Sequence, residues 1–259
     1  MRAVLLLLAA LLLGRADAAF AGATPLAAVP IARLNVPWWK TRHEAKLAEA
    51  RQGPVDLVFL GDSITQQFEA TGPDPLHDYR AVWQHFYGDR HALNLGFVGD
   101  ATAHLLWRIE HGEIDGIAPK AAVILIGANN IGRLHWSAPD DVLGIETVVA
   151  EVRRRLPRTR LLLLGVLPSD RGAWASQTAT EINIGLADRY GQGAVPYVTF
   201  HDASALFMKN GVIDRSLFRD PQEAPPHPAL HPSPDGMDRL AAAIEPTLSA
   251  LLGDRPHNR

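Results

Sequence analysis

The chain contains no cysteine. That excludes a thiol nucleophile, a thiolate metal site, a lipidated N-terminal cysteine and any disulfide, so the fold is held by its core alone. With 259 residues there is length for one large domain or two small ones, and a core of that size suffices. A surplus of one charge sign is also missing. The net charge of −3 gives no electrostatic reason to propose a nucleic-acid partner. The one dense basic run, Arg153–Arg155, reads as a solvated helix face. No P-loop, GxGxxG or GxSxG pattern occurs, which argues against nucleotide binding and against the nucleophile elbow of α/β-hydrolases. No HExxH is present either. His227 and His231 are separated by Pro-Ala-Leu in a non-helical stretch, and a zinc site needs three or four converging ligands, so no metal and no cofactor is expected.

Long apolar runs are equally scarce. The only one, Ala3–Leu13, follows Arg2 and precedes a small-x-small site at Ala16-Asp17-Ala18. It is too short for a good membrane span, so residues 1–18 read as a signal peptide, the mature chain has no span, and a secreted or periplasmic location follows. Residues 19–36 are rich in Ala and Pro and read as a loosely ordered lead. A single domain is expected over residues 37–254, with a tail at 255–259.

What is present is alternation. Five short apolar runs recur: Val55–Leu60, Ala92–Phe97, Ala122–Gly127, Arg160–Val166 and Val195–Phe200. Continuous runs rich in Val, Leu and Ile fit strands buried on both faces. Helix-like segments separate or flank them: Trp38–Arg51, Ala103–Glu110, Asp140–Leu156, Thr178–Arg189 and Asp238–Leu252. The pattern predicts an α/β fold, a three-layer α/β/α sandwich of the flavodoxin-like kind with a five-stranded parallel sheet. Asp214–Pro234 breaks the regularity. It is too proline-dense for helix or central strand, so it is a long loop, and such loops in compact domains are often functional.

Three of the strand ends carry chemistry. Val55–Phe68 reads VDLVFLGDSITQQF, which sets Ser63 on a turn between a buried strand and a helix N-terminus. Unpaired N–H groups and the helix dipole favour an anion there, and an attacking serine turns a carbonyl into one. Gly96–Asp100 (GFVGD) and Gly127–Asn130 (GANN) also follow apolar runs, and His231 comes late in LHPSPDGM. Each alone reads equally as an ordinary turn, but ligands of a parallel sheet bind outside the strands' C-terminal ends, where all three converge.

These residues resemble the four blocks of the SGNH (GDSL) hydrolase family. Gly61-Asp62-Ser63, Gly99, Asn129 and His231 stand at the family's block positions. The segment from His91 to Gly132 is similar to the platelet-activating-factor acetylhydrolase catalytic-subunit-like group within it. The resemblance implies a serine esterase for short, acetyl-type acyl groups. Ser63 would be its nucleophile and His231 its base, with an oxyanion hole from the Ser63 N–H, the Gly99 N–H and the Asn129 amide. The substrate would be a small-molecule or polymer-borne ester. A carbohydrate O-deacetylase is the alternative within enzymes, and a carbohydrate- or lipid-binding protein with a degenerate site is the alternative of another class.

Two positions depart from the family pattern. The residue three before His231, where the family has its aspartate, is Pro228. Asp220, ahead of the extra residues Pro221–Ala229, is the displaced acid on one reading. Glu223, Asp235 or a backbone carbonyl of Pro226–Leu230 are the others. The second departure is Val98, where close relatives often carry glycine.

Overall fold

The computed structural model describes residues 23–257. The signal-like segment at 1–18 lies outside the described residues. Five parallel strands form one sheet: β1 (Leu57–Gly61), β2 (Ala92–Gly96), β3 (Ala121–Leu125), β4 (Arg160–Leu164) and β5 (Val198–His201). Their spatial order is β2-β1-β3-β4-β5, the flavodoxin-like order, in which the chain reverses direction across the sheet between β1 and β3. β1 and β3 are buried along their whole length, as their unbroken apolar sequence requires. Gly61 pairs level with Gly96 on one side and Leu125 on the other. The adjacent strands β2, β1 and β3 therefore end together, and their following loops share one edge.

Among the described residues, eight α-helices surround the sheet: α1 (Pro37–Glu49), α2 (Ser63–Gln66), α3 (Arg80–Tyr87), α4 (Thr102–Glu110), α5 (Ala128–Gly132), α6 (Ala138–Arg155), α7 (Ala173–Tyr190) and α8 (Pro234–Leu252). α3 packs with α8, while α4, α6 and α7 pack in succession. A right-handed crossover rule produces these two layers from this strand order. The long helices start earlier than the sequence pattern predicts: α6 at Ala138 rather than Asp140, α7 at Ala173 rather than Thr178 and α8 at Pro234 rather than Asp238. Ser137 caps α6 through the Asp140 N–H and Ser233 caps α8 through the Gly236 N–H, with proline at the second helical position of α6 and the first of α8. Asp140 and Asp141 in the first turn of α6 and Arg153–Arg155 in its last complement the helix dipole.

Three further features differ from the expectation. α3 is short and lacks a side-chain cap, so no start signal announces it. A small hairpin, β6 (Met208–Lys209) with β7 (Val212–Ile213), turns through Asn210-Gly211, both at positive φ. Asn-Gly is a strong hairpin signal, but the flanking strands are too short to register as apolar runs. The third concerns the lead, whose part from residue 23 on is docked rather than loose. Ala27 is buried, its carbonyl accepts from Thr102 Oγ1 at 2.7 Å, and Ile31 N–H donates to the Ala103 carbonyl at 3.0 Å. Few polar side chains and two prolines hide such docking in sequence, because backbone groups make the bonds.

Candidate active site

Ser63 is the first residue of α2, directly after β1. Asp62 caps that helix by accepting the Ile64 N–H at 2.9 Å, which aims the serine outward from the sheet edge. The close approach of α2 to the end of β2 is possible because Gly96 has no side chain; a Cβ there would lie 2.2 Å from the Gln66 nitrogen. The Ser63 N–H starts the helix and the Gly99 N–H sits in the loop after β2. Neither donates to another group among the described residues, so both are free to meet an incoming oxygen.

Gly99 has φ +75, a conformation that L side chains rarely adopt. The loop around it is fastened from both flanks. Val98 N–H donates to Gln66 Oε1 at 2.7 Å and Asp100 N–H to the Phe97 carbonyl at 3.1 Å. The Asp100 carboxylate, fully buried, accepts from Trp39 Nε1, Arg33 Nη1 and Arg108 Nε, each at 2.8 Å. Arg108 is buried too. It also donates to the Leu95 carbonyl, the Gly61 carbonyl and Glu113, and it stacks on Phe97 at 3.9 Å. Two guanidinium groups thus balance two carboxylates beneath the loop. A buried cluster of this kind holds its geometry because breaking any one pair strands a charge.

Asn129 sits near the start of α5, which follows β3. Its amide donates to the Asp100 carbonyl at 3.0 Å, and Asp62 Oδ2 lies 3.5 Å away. An amide carries two N–H groups; one anchors Asn129 to the Gly99 loop and the other faces Asp62 Oδ2 over a long 3.5 Å contact. Its neighbour Asn130 turns inward. It donates to Thr102 Oγ1 and Asp141 Oδ1, each at 2.7 Å, and accepts the Thr102 N–H at 3.0 Å. Burial pushes the pKa of Asp141 well above the carboxylate range, against the Asn130 hydrogen bond. Burial likewise lifts Asp62 to about 6, with the Ile64 N–H opposing.

His231 lies on the segment leading into α8. Its Nε2 is 3.0 Å from Ser63 Oγ and its Nδ1 is 2.6 Å from Asp220 Oδ1. The other Asp220 oxygen accepts the backbone N–H groups of Leu230, at 3.0 Å, and His231, at 2.6 Å. Burial raises the pKa of Asp220, but the His231 hydrogen bond, its charge and those two N–H groups outweigh it and hold the group below its ordinary value. The proline-rich residues 221–229 arch away and return. Their two ends are tied by the Arg219 N–H on the His231 carbonyl at 2.9 Å and by a bridge between Phe218 and Pro232. Gln67 Nε2 and the Tyr79 hydroxyl both donate to the Pro232 carbonyl, at 3.1 and 2.8 Å, and fix the base's neighbour.

The structure thus brings together Ser63, Gly99, Asn129, His231 and Asp220. It leaves the other acid candidates aside. Glu223 pairs with Arg219 at 2.7 Å, Asp235 sits in the first turn of α8, and the Pro226–Leu230 carbonyls do not reach the imidazole. Among the described residues, no group of three or more His, Asp or Glu side chains could hold a metal. Sequence reasoning passed over Arg33, Trp39, Gln66, Tyr79 and Arg108, whose signal is only their pairing across the fold. Trp107 is spent on stacking, at 3.8 Å from His111. Trp174 is 46% exposed and meets His135 edge-on.

A family model described as the GDSL-like Lipase/Acylhydrolase family matches residues 59–239. Platelet-activating factor acetylhydrolase IB subunit alpha1 of Bos taurus is 35% identical over 130 residues, which is 50% of this chain and 51% of that protein. Subunit alpha2 of Rattus norvegicus is 32% identical over 146 residues, 55% of this chain and 58% of that one. The chain spans about half the length of these curated relatives. A GDSL-like lipase from Bacteroides thetaiotaomicron superposes with TM-score 0.60 at 16% identity, over 81% of this chain and 97% of its own. An acetylxylan esterase from Geobacillus stearothermophilus does so with TM-score 0.55 at 19% identity, over 78% and 95%. At such identities the likeness is one of fold.

Proposed function

The chain belongs to the GDSL-like lipase/acylhydrolase family, and from that footing we propose that it is a serine ester hydrolase removing short, acetyl-type acyl groups. The observation that carries this reading is the unbroken hydrogen-bonded relay from Ser63 through His231 to Asp220, beside two backbone N–H groups with nothing to donate to. Ser63 Oγ attacks the ester carbonyl while His231 Nε2 takes its proton. The tetrahedral oxygen settles on the Ser63 and Gly99 N–H groups and the Asn129 amide. His231, now doubly protonated and faced by the Asp220 carboxylate, returns the proton to the leaving alcohol, and water repeats the sequence on the acyl-enzyme. The acetyl size rests on the relatives' names as acetylhydrolases.

A carbohydrate O-deacetylase is the second reading, favoured by the acetylxylan esterase among the fold neighbours. The motive for the binding-protein alternative was Pro228 at the acid's usual place, and the contact of Asp220 with His231 Nδ1 speaks against it. The leader-like residues 1–18 support export to the periplasm or medium. A fluorophosphonate probe tests the central reading. It should label Ser63, and Ser63→Ala, folded by circular dichroism, should lose both labelling and para-nitrophenyl acetate hydrolysis, by about 10⁶ in turnover. Full hydrolysis by a folded Ser63→Ala protein would sink the proposal.

A further inference from the structure

The mouth of this site carries positive charge that the relay does not use. Arg133, at the C-terminal end of α5, is exposed, and its side chain forms no hydrogen bond or ion pair with any described residue. Yet its guanidinium lies against the oxyanion loop: a Cβ on Gly99 would stand 2.7 Å from Arg133 Nη1. The missing side chain at position 99 is what lets the charge close on the loop. Arg33 reaches the same place, at 3.4 Å from that point, but it is engaged by the Val98 carbonyl and Asp100. On the opposite flank of α5, Arg171 donates to the Ala128 carbonyl at 2.9 Å and to Ser169 Oγ at 2.8 Å, and no carboxylate pairs with it. It is half-buried; burial lowers its pKa, and the charges of Asp62 and Asp220 oppose that. The field is felt by a bystander. His104, which accepts the Ala101 N–H, has its pKa pushed down to about 4 by burial first and then by Arg33, Arg108 and Arg133.

An exposed guanidinium with no partner among the described residues is a fork for carboxylate or phosphate oxygens. The carboxylates nearby offer no internal alternative. Asp62 caps α2, Asp100 is saturated by three donors, and Asp220 is held by His231 and two backbone N–H groups. We propose that Arg133, with Arg171 behind it, makes this site selective for esters that carry an anionic group, carboxylate or phosphate, close to the scissile bond. The proposal rests on the esterase reading and narrows its substrate class to acidic esters.

The test compares matched pairs of esters. With the charge on the alcohol, para-acetoxybenzoate and para-acetoxyphenyl phosphate are set against para-acetoxybenzamide. With the charge on the acyl group, mono-para-nitrophenyl succinate is set against para-nitrophenyl butyrate. The readout is the ratio of kcat/KM for the anionic over the neutral ester, in the wild type and in Arg133→Gln, which cancels intrinsic reactivity. The ratio should fall about tenfold or more in the variant for at least one pair, since a hydrogen bond to a charged group is worth that much, and Arg133→Lys should retain part of it. In the wild type the ratio should also fall as salt rises from low millimolar to above about 0.1 M, where the screening length shrinks to about 10 Å. A ratio that moves by less than about twofold in every pair, a small fraction of what a hydrogen bond to a charged group is worth, overturns the proposal. That includes the case of equal losses on both esters, which would assign the charge to the oxyanion instead. Wild-type hydrolysis of neither ester overturns the esterase reading along with this one, whereas hydrolysis of both without preference overturns this one alone.

Discussion

Replacing Asp220 by asparagine keeps the shape of the side chain and changes what each end can do. In the wild type one carboxylate oxygen faces His231 Nδ1 and the other accepts two backbone N–H groups. An asparagine has one acceptor and one donor end. If its oxygen faced the imidazole, its NH₂ would be driven against the N–H groups of Leu230 and His231, leaving two buried donors without acceptors at about 1–3 kcal/mol each. The opposite orientation keeps both backbone bonds, so it wins. The NH₂ then faces Nδ1, which must become an acceptor, and the ring proton moves to Nε2, beside Ser63. In that tautomer the imidazole has no lone pair to take the serine proton. We therefore expect kcat for para-nitrophenyl acetate to fall by about 10⁴, the usual cost of the wrong tautomer in a serine relay, with KM little changed and the fold intact. Stability supplies an independent readout. Because the folded pKa of Asp220 is lowered, its charge stabilises the protein above the unfolded value of about 3.9 and loses that effect as pH falls through the folded one. The melting-temperature advantage of wild type over Asp220→Asn should accordingly shrink as pH drops below about 4. A loss of activity under about tenfold, far from the expected 10⁴, would refute the reasoning and remove Asp220 from the machinery.

Three further outcomes follow from the same geometry. Asn129→Ala should lower kcat by about 10²–10³ with a smaller change in KM, as the loss of one oxyanion donor does; steady-state kinetics with a melting curve on the same sample checks it, and an unchanged kcat would leave Asn129 as a structural tie to Asp100. Arg108→Met should destabilise by about 3–5 kcal/mol, because Asp100 and Glu113 would remain buried with a cation removed; urea titration measures this, and a cost under about 1 kcal/mol would place water in that cluster. Asp141→Asn removes a group whose folded pKa is raised by burial, a shift that favours folding below the unfolded pKa and is lost as pH rises through the folded one. The variant should thus gain stability over wild type as pH climbs above about 4, and parallel melting curves from acid to neutral pH would contradict a carboxyl whose pKa burial has raised.

The sequence by itself determined the parts of this protein that depend on neighbours along the chain. Short apolar runs declare buried parallel strands because both faces of such strands meet helices. Serine, glycine and asparagine placed just past three of those runs declare one shared edge, since parallel strands point the same way. His231 was marked by its block. The tertiary structure alone decided which oxygen orients the imidazole. Asp220 reaches His231 only because residues 221–229 leave and return between tied ends, and the geometry of that excursion has no periodic trace. It alone also decided that Arg108, an ordinary cation in a helical segment, lies fully buried between Asp100 and Glu113. Arg133, by contrast, is left unpaired at the mouth. A charge's partner is set by distance in space, and nothing in local spacing says whether a guanidinium will be neutralised from within or left waiting for a ligand.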